Sequence, residues 1–290
     1  MNSFSNSKNL RFVITLGTGK FGSSNNNQIT LEGYRASVNI DKAGGMMMGQ
    51  LNAQIFGMTL ADMNSVTTLR YGPIRGIVNH IDVYAIDGTQ QTLVFTGDII
   101  NAWADFSGQP EVFLTISAQS TYGKRMTPAP VRSYKGQVDV ASIMASIAQT
   151  MGYSFENAGV NGQITNPYLH GSLLDQALAL AKAANIWMFI DNNTLAISKP
   201  NTPRKGLIPL LSPNSGTRGY PTFDGTGITL TCLFSPALQF GGAFKVDTSL
   251  PQAQGEWIAI SIAYQLQSQT DGGAWFATVK GNKNGFAIVS

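Results

Sequence analysis

The chain is poor in cysteine and has no long hydrophobic run. Cys232 is the only cysteine among 290 residues, which excludes an intramolecular disulfide and a metal site built from clustered cysteines. We expect it to be a buried, small apolar residue. No stretch approaches the roughly 18 consecutive apolar residues of a transmembrane helix, and the apolar run at residues 12–16 is too short for a signal-peptide core. We therefore expect a protein that is made and folded in a cytoplasm and does not insert into membranes.

Charged residues are also scarce. They make up 12% of the sequence, about half the share found in an average globular protein. The net charge is only +3, which argues against nucleic-acid binding driven by bulk electrostatics. Asn, Gln, Ser, Thr and Gly must therefore cover the surface. Such a composition is typical of proteins whose surfaces are buried in an assembly, and it also suits secreted β proteins.

One phosphate-binding motif is present but lacks its structural context. Residues 17–22 match the dinucleotide pattern G-x-G-x-x-G, and the run Ser-Ser-Asn-Asn-Asn that follows forms helix poorly. The motif requires a helix whose N-terminus holds the pyrophosphate. We therefore interpret residues 17–22 as a flexible hairpin loop.

Residues that carry catalysis or hold metals are few and scattered. The two histidines are His80 and His170, and no G-x-S-x-G nucleophile elbow surrounds Ser172. No carboxylate pair and no His- or Asp-rich spacing indicates a glycosidase or a metal site. We predict no catalytic residue, no cofactor and no metal.

Residues 138–198 are the only part of the chain with a strong helical pattern. Asp139 is placed to cap a helix with one apolar face, and Gly152 is placed to end it. Ser172 and Asp175 form a capping-box pattern before a second apolar helix. A strand, a tight turn and a second strand follow. The pattern predicts a small α/β unit of two helices and a hairpin.

The rest of the chain has the alternation and turn residues of β structure. About seven short strands precede the α/β unit, among them residues 91–95 and 99–106, and they suggest a barrel or a sandwich. A long Pro- and Ser-rich loop at residues 200–217 precedes further strands. Periodicity leaves open whether the strand at 111–119 belongs to the first or the second β module. The predicted fold is mainly β, with two β modules and an α/β insert.

Four stretches, taken in order, carry a likeness to a known family. They are residues 28–35 followed by 49–57 (GQLNAQIFG); 93–104 (LVFTGDIINAWA); 134–197, which includes SLLDQALALAKAANIWMFIDNNTLAI; and 233–248 (LFSPALQFGGAFKVDT) continued at 255–267 and 275–280. The ordered set resembles the baseplate hub proteins of contractile-tailed phages, the late control protein D family. That family is similar to the N-terminal hub part of type VI secretion spike proteins.

The resemblance implies a fold and domain boundaries. The expected fold is two tail-tube-like antiparallel β-barrel domains plus a small helical and hairpin domain. We expect the first barrel at residues 1–110, a connection or start of the second barrel at 111–135, the α/β insert at 136–200 and the second barrel at 201–290.

The resemblance also implies a function and partners. It implies a structural, non-enzymatic hub in the tail baseplate of a virion or related contractile injection system. Three copies would form a pseudo-hexameric ring that adapts a hexameric tail tube to a trimeric spike. Expected partners are further copies of the chain, a tube or tube-initiator protein, the central spike, and baseplate wedge or inner-ring proteins. Genomic DNA would pass through the lumen during ejection without sequence-specific binding.

Two strand edges and two loops are the candidate contact surfaces. An exposed strand edge offers unpaired backbone groups to a neighbouring subunit. The candidate interface residues are Gln50, Asn52, Gln54 and Phe56 in one strand and Ile258, Ile260 and Ile262 in another. The candidate partner-contact loops contain Met46, Met47 and Met48 in one and Arg218 and Tyr220 in the other.

Two other functions remain open at the level of sequence. One is a β-rich carbohydrate-binding protein of a tail or surface appendage, in which Trp103, Trp257 and Trp275 form a sugar-stacking platform. Packing of these side chains in the core is the favoured interpretation. The other is a glycan hydrolase, which requires two facing carboxylates in a pocket.

Overall fold

The computed structural model describes residues 8–22, 25–43, 48–67 and 78–283. Its internal contacts divide the chain into two compact units. Unit 1 consists of residues 1–41, 49–123 and 264–275, and unit 2 consists of residues 42–48, 124–263 and 276–290. In this division the α/β insert shares a unit with the second β module. The four-part set of domain boundaries given above stays a prediction.

Unit 1 is built on an antiparallel sheet with one short helix. Its elements are β1 (Lys8–Thr15), β2 (Gln28–Glu32), β3 (Ala36–Ala43), β4 (Gln50–Phe56), α1 (Leu60–Val66), β5 (His80–Asp87), β6 (Gln90–Asp105) and β7 (Phe113–Gln119). The strand order is β2-β1-β5-β6-β7-β4-β3, and every neighbouring pair is antiparallel.

Alternation of apolar and polar residues gives this sheet a buried and a solvated face. In β4, Leu51, Ala53 and Ile55 are buried, whereas Gln50, Asn52 and Gln54 are exposed. Successive side chains of a strand point to opposite faces, so a period of two buries one complete set. Each large aliphatic side chain buried in this way contributes about 1.5–3 kcal/mol.

Two local predictions in unit 1 have different outcomes. The loop interpretation of residues 17–22 is confirmed, because β1 and β2 are antiparallel neighbours and the motif lies between them. The separate strands predicted at 91–95 and 99–106 are wrong, because β6 is one strand of 16 residues. Its pairing register shifts opposite Val83 and between Ile99 and Asn101, and such bulges interrupt the alternation that a sequence pattern relies on.

Unit 2 contains the helical insert and a second group of strands. Its elements are α2 (Tyr122–Met126), β8 (Arg132–Ser133), β9 (Gln137–Asp139), α3 (Val140–Met151), β10 (Ser154–Ala158), β11 (Gln163–Thr165), β12 (Tyr168–Leu169), α4 (Leu173–Ala183), β13 (Trp187–Asp191), β14 (Thr194–Ser198), β15 (Leu210–Leu211), β16 (Thr217–Asp224), β17 (Gly227–Leu233), β18 (Ala243–Val246), β19 (Gly255–Ser268) and β20 (Trp275–Asn282). A few terminal residues of α2, β19 and β20 fall in unit 1, and the last two residues of β3, Lys42 and Ala43, fall in unit 2.

The strands of unit 2 form a main group and a small sheet. In the main group the order is β16-β17-β20-β19, with β18 paired to β19 and β15 paired to β18. In the insert, β10 runs parallel to β14, and β13 runs antiparallel to β14. The predicted fold class, mainly β with an α/β insert, is confirmed.

The helices of the insert begin and end where the sequence predicts. The Asp139 carboxylate accepts the backbone N–H of Ser142 at 2.8 Å, and Gly152 ends α3 with a left-handed φ of 76°. At α4, the Ser172 hydroxyl accepts the backbone N–H of Asp175 at 3.2 Å, and the Asp175 carboxylate accepts that of Ser172 at 3.0 Å. These caps satisfy backbone donors that a helix leaves unpaired.

Replacing Ser172 by Ala should destabilise unit 2 because α4 loses its reciprocal cap. We expect a loss of about 1 kcal/mol in the free energy of unfolding, measured by urea denaturation. Ser154→Ala, at an exposed strand position, is the matched control and should change stability by less than about 0.5 kcal/mol. Equal losses in the two variants would contradict the capping role.

A buried group of four charges within unit 2 joins Glu156 and Asp191 of the insert to Arg204, in the loop that follows the insert, and to Lys42, near the end of β3. The Lys42 ammonium is 2.6 Å from the Asp191 carboxylate, and the Arg204 guanidinium is 2.9 Å from Glu156 and 3.4 Å from Asp191. Arg204 also donates to the backbone oxygen of Phe240 at 2.9 Å. Only 4% of the Arg204 side chain is exposed. Because each charge has an opposite charge beside it, the cost of desolvation is offset.

Replacing Arg204 by Met should destabilise the protein strongly, because Glu156 and Asp191 lose a buried cation. We expect a loss of about 3–5 kcal/mol in the free energy of urea unfolding. Arg11→Met, which breaks the exposed Arg11–Glu32 pair at 2.5 Å, should cost at most about 1 kcal/mol. Similar losses in the two variants would contradict the prediction that a buried ion pair contributes more to the free energy of unfolding than an exposed one.

Candidate functional site

The predicted interface residues of β4 lie in the interior of a sheet and not at its edge. β4 is hydrogen-bonded to β3 on one side and to β7 on the other, so its backbone groups are already paired. The edge argument is therefore wrong for Gln50, Asn52, Gln54 and Phe56. The side chains of Gln50, Asn52 and Gln54 are exposed. The Phe56 ring is half-buried and packs 4.9 Å from the Phe113 ring.

The second predicted interface strand is also paired on both sides. Ile258 of β19 is opposite Ala243 of β18, and β20 is also a hydrogen-bonded neighbour of β19. Ile258 and Ile262 are buried in the core, and Ile260 is half-buried. The edge prediction for these three residues is wrong. The sequence of an apolar strand does not indicate whether its backbone hydrogen-bonding partners belong to the same chain or to another.

The predicted contact loops have mixed outcomes. Met46 and Met47 lie outside the described residues, and Met48 is partly buried against the apolar core of α3 and α4. Arg218 and Tyr220 lie in strand β16, so their assignment to a loop is wrong. Both side chains are exposed, and 69% of Tyr220 is accessible. A contact role for these residues stays a prediction.

Among the described residues, β2 and β16 are the end strands of their groups, each with one hydrogen-bonded neighbour. β16 is irregular, since Gly219 has a φ of 73°, Pro221 has no N–H to donate, and the register shifts between Arg218 and Thr222. Bulges and prolines of this kind protect edges from uncontrolled pairing. The sequence Gly-Tyr-Pro was the signal that would have located this edge.

The solvated side of unit 1 carries a surface that we call the polar face. It is formed by three rows of paired residues on β3, β4, β7 and β6. The rows are Ser37, Gln54, Thr115 and Trp103; Asn39, Asn52, Ser117 and Asn101; and Asp41, Gln50, Gln119 and Asp98. With usual strand spacing and rise, this face measures about 14 Å by about 13 Å.

The polar face has almost no charge. Only Asp41 and Asp98 are ionisable, and both lie in the same end row. The remaining side chains are amides, hydroxyls and Trp103, of which 39% is exposed. The Ser117 hydroxyl donates to the Asn52 side-chain oxygen at 2.9 Å. The face offers hydrogen bonds to water, with little electrostatic attraction or repulsion for an ion.

The other half of the same solvated surface, on β6, β5, β1 and β2, carries charges that contact one another. Arg11 pairs with Glu32, and His80 lies 3.3 Å from Asp82 of the same half and 3.1 Å from Asp98 at the end of the polar face. The second oxygen of Asp98 accepts the backbone N–H of Gly123 at 2.7 Å. The charged residues of this half are thus engaged within the surface, next to the last row of the polar face.

The two carboxylates decide the protonation of His80. Burial lowers the pKa of the imidazole, but hydrogen bonds and charge attraction from Asp82 and Asp98 outweigh it and raise the pKa to about 9. Burial likewise raises the pKa of Asp82, and its contacts with His80 and Thr96 outweigh this effect and lower the pKa below its usual value. His80 is therefore a cation at neutral pH and acts as a fixed counter-charge.

The stabilisation that His80 provides should disappear at high pH. Because the folded-state pKa of His80 is about 9 and the ordinary pKa of a histidine is 6.5, the contribution is complete below about pH 6.5 and is lost as the pH rises through about 9. Urea unfolding of the wild type and His80→Gln should show a stability difference that shrinks over this range. His170→Gln, at an exposed position, is the control, and a His80→Gln difference independent of pH would contradict the assignment.

The three-tryptophan platform is not formed. Only 7% of Trp257 and 2% of Trp275 is exposed, and the Trp257 ring nitrogen donates to the backbone oxygen of Ala253. Two of the three proposed stacking residues are therefore core residues. This removes the structural basis given above for a sugar-stacking site.

Other site chemistry is sparse in the described part of the chain. No group of three or more His, Cys, Asp or Glu side chains there is arranged to hold a metal ion. Within the same residues, no helix has the length and apolar character needed to cross a membrane. Cys232 is buried, as expected, and burial raises the pKa of its thiol to about 11.

Comparison with known proteins identifies a family and a fold. A family model described as "Baseplate hub gp41" matches residues 10–280, whereas a search of curated proteins finds no match. A prophage MuSo2 43 kDa tail protein from Shewanella oneidensis has 11% identity and a TM-score of 0.63, over 94% of this chain and 97% of that one. A Neisseria meningitidis tail protein has 11% identity and a TM-score of 0.62, over 96% and 98%.

A third solved structure extends the fold likeness beyond phages. An Escherichia coli protein described as a component of the type VI secretion system has 11% identity and a TM-score of 0.57, over 88% of this chain and 77% of that one. At these identities the likeness establishes the fold. The chain therefore has the fold of phage tail proteins over nearly its whole length.

Proposed function

Since the chain belongs to the baseplate hub gp41 family and is a structural protein of the phage tail baseplate, we propose that three copies form its central ring. The ring adapts a hexameric tail tube to a trimeric spike and encloses a channel for DNA. The chain has no enzymatic role in this assembly. It works by presenting surfaces to its neighbours.

The observation that carries this proposal is the presence of two β-rich units in one chain. Unit 1 has an antiparallel sheet, and unit 2 has a second, mainly antiparallel strand group in addition to the insert. Three chains supply six β-rich units, which is the number that a ring needs to match a sixfold partner while keeping threefold symmetry. A chain with one such unit would require six copies for the same match.

The surface composition supports an assembly role. Charged residues are 12% of the sequence, and several large apolar side chains are exposed, including Leu207 at 79% and Tyr220 at 69%. Few charges and some exposed aromatic side chains are features that protein interfaces share. The partners that we propose are further copies of the chain, a tube or tube-initiator protein, the spike, and wedge or inner-ring proteins. The chain is made in the bacterial cytoplasm and ends in the virion.

The solution mass of the purified chain tests the proposal. One chain is 31.0 kDa, so three copies give 93 kDa. We expect light scattering on a sizing column to find a 93-kDa species, or a complex of three chains with three spike subunits once the spike protein of the same particle is added. The Arg11→Met variant is the matched control, because its change lies at an exposed ion pair and should leave the mass unchanged.

A stable 31-kDa monomer that binds neither the spike protein nor the tube protein would contradict the proposed ring. A species of twice or six times the chain mass would contradict threefold symmetry. Either result would leave the family assignment intact and would remove the proposed stoichiometry.

A further inference from the structure

The chain leaves the unit 1 sheet through a short turn that the Asp98 carboxylate contacts. One oxygen of Asp98 lies 3.1 Å from the His80 ring, and the other accepts the backbone N–H of Gly123 at 2.7 Å. Asp98 is the register partner of both His80 on β5 and Gln119 on β7, so it lies beside the end of β7. The carboxylate therefore connects β5 and β6 to the turn that follows β7.

The turn before Gly123 has an unfavourable backbone conformation. Thr121 is buried and has a φ of 61°, which lies in the left-handed region that β-branched residues rarely adopt. Conformations of this kind persist only where surrounding contacts hold them. Two such contacts are the hydrogen bond from the Ser120 N–H to the Gly49 oxygen at 2.9 Å and the bond from Gly123 to Asp98. Loss of either contact favours a different backbone conformation at Thr121.

The helix α2 that contains Gly123 is short and exposed. The structure describes all of its residues, and none of them is buried. A helix of this length is not stable without contacts to the rest of the protein. A Cβ atom at position 123 would lie 3.0 Å from an Asp98 carboxylate oxygen, so glycine allows the close approach of the two groups. The contact between Asp98 and Gly123 therefore contributes to holding α2 in place.

We propose that residues 120–126 form a strap, which Asp98 holds closed and which opens while the sheet of unit 1 stays folded. Asp98 is a positioning residue here, and His80 fixes its carboxylate from the other side. Exposed segments that bury little apolar surface open at a lower free energy than core strands do. Opening would release Lys124 and Arg125 from the helix and make their peptide bonds accessible. The strap is a property of the single chain and does not depend on the number of copies in the ring.

Hydrogen exchange of the full-length wild-type chain, followed by mass spectrometry of its peptides, measures the opening. We expect the backbone amides of residues 120–126 to exchange at least about tenfold faster than those of β7, because the strap opens without the sheet. Equal protection of the two segments would show that the strap opens only when the sheet unfolds, and would overturn the proposal. This measurement requires no substitution, so it remains decisive even if a variant does not fold.

Asp98→Asn tests the role of the carboxylate in nearly unchanged volume. The His80 imidazolium and the Gly123 N–H both donate to Asp98, and an amide has one acceptor oxygen where a carboxylate has two. One donor therefore loses its acceptor, and we expect trypsin to cleave after Lys124 and Arg125 about tenfold faster than in the wild type. Cleavage after the exposed Lys205 is the internal reference and should keep its wild-type rate.

Ile55→Val is the control for a general loss of stability, because Ile55 is buried in β4. It should lower the free energy of urea unfolding and leave the rate of cleavage after Lys124 and Arg125 unchanged. An unchanged rate in Asp98→Asn would show that the carboxylate does not hold the strap. A rise in Ile55→Val as large as the rise in Asp98→Asn would show that cleavage follows global unfolding. Either result would overturn the proposal.

Discussion

The hydrogen-bonded ladder of the unit 1 sheet is the constraint on which the surfaces of that unit depend. Because β4 and β7 are each paired on both sides, their backbones have no groups left for other chains. Contacts between this sheet and its surroundings are therefore made by side chains. The alternation along each strand determines which side chains face outwards. One set fills the core, and the other set forms the solvated surface.

One group of paired charges is exposed to solvent in unit 1, and another is buried in unit 2. In unit 1 the ionisable groups of β1, β2, β5 and β6 contact one another at the solvated surface, with His80 as the cation between two carboxylates. In unit 2, two carboxylates of the insert are paired with two cations, Arg204 of the following loop and Lys42 near the end of β3. Burial makes the second group a structural requirement. Solvent screens the exposed ion pairs of the first group, so each of them contributes little to the free energy of folding.

Local signals in the sequence were strong at helix ends and weak along strands. Asp139, Gly152 and Ser172 each act through neighbours within four residues, so their roles follow from spacing alone. The long strand β6 was divided in the sequence interpretation because bulges near Val83 and Ile99 shift the alternation. The strands β10, β11 and β12 were not predicted, since they are short and polar and exist because distant segments pair with them.

The amino-acid sequence was sufficient to predict the mainly β class, the helical insert with its caps, the absence of an intramolecular disulfide, and the ordered likeness to the baseplate hub family. All of these depend on composition, on short-range spacing or on the order of segments. The pairing of the strands in three dimensions was needed to show that β4 and β19 are interior strands, that Arg218 and Tyr220 lie on an edge strand, and that uncharged residues from four strands meet on one face. Each of these depends on which distant strands become neighbours, and strand pairing brings together residues such as Asn52 and Ser117, 65 positions apart, that no local pattern connects.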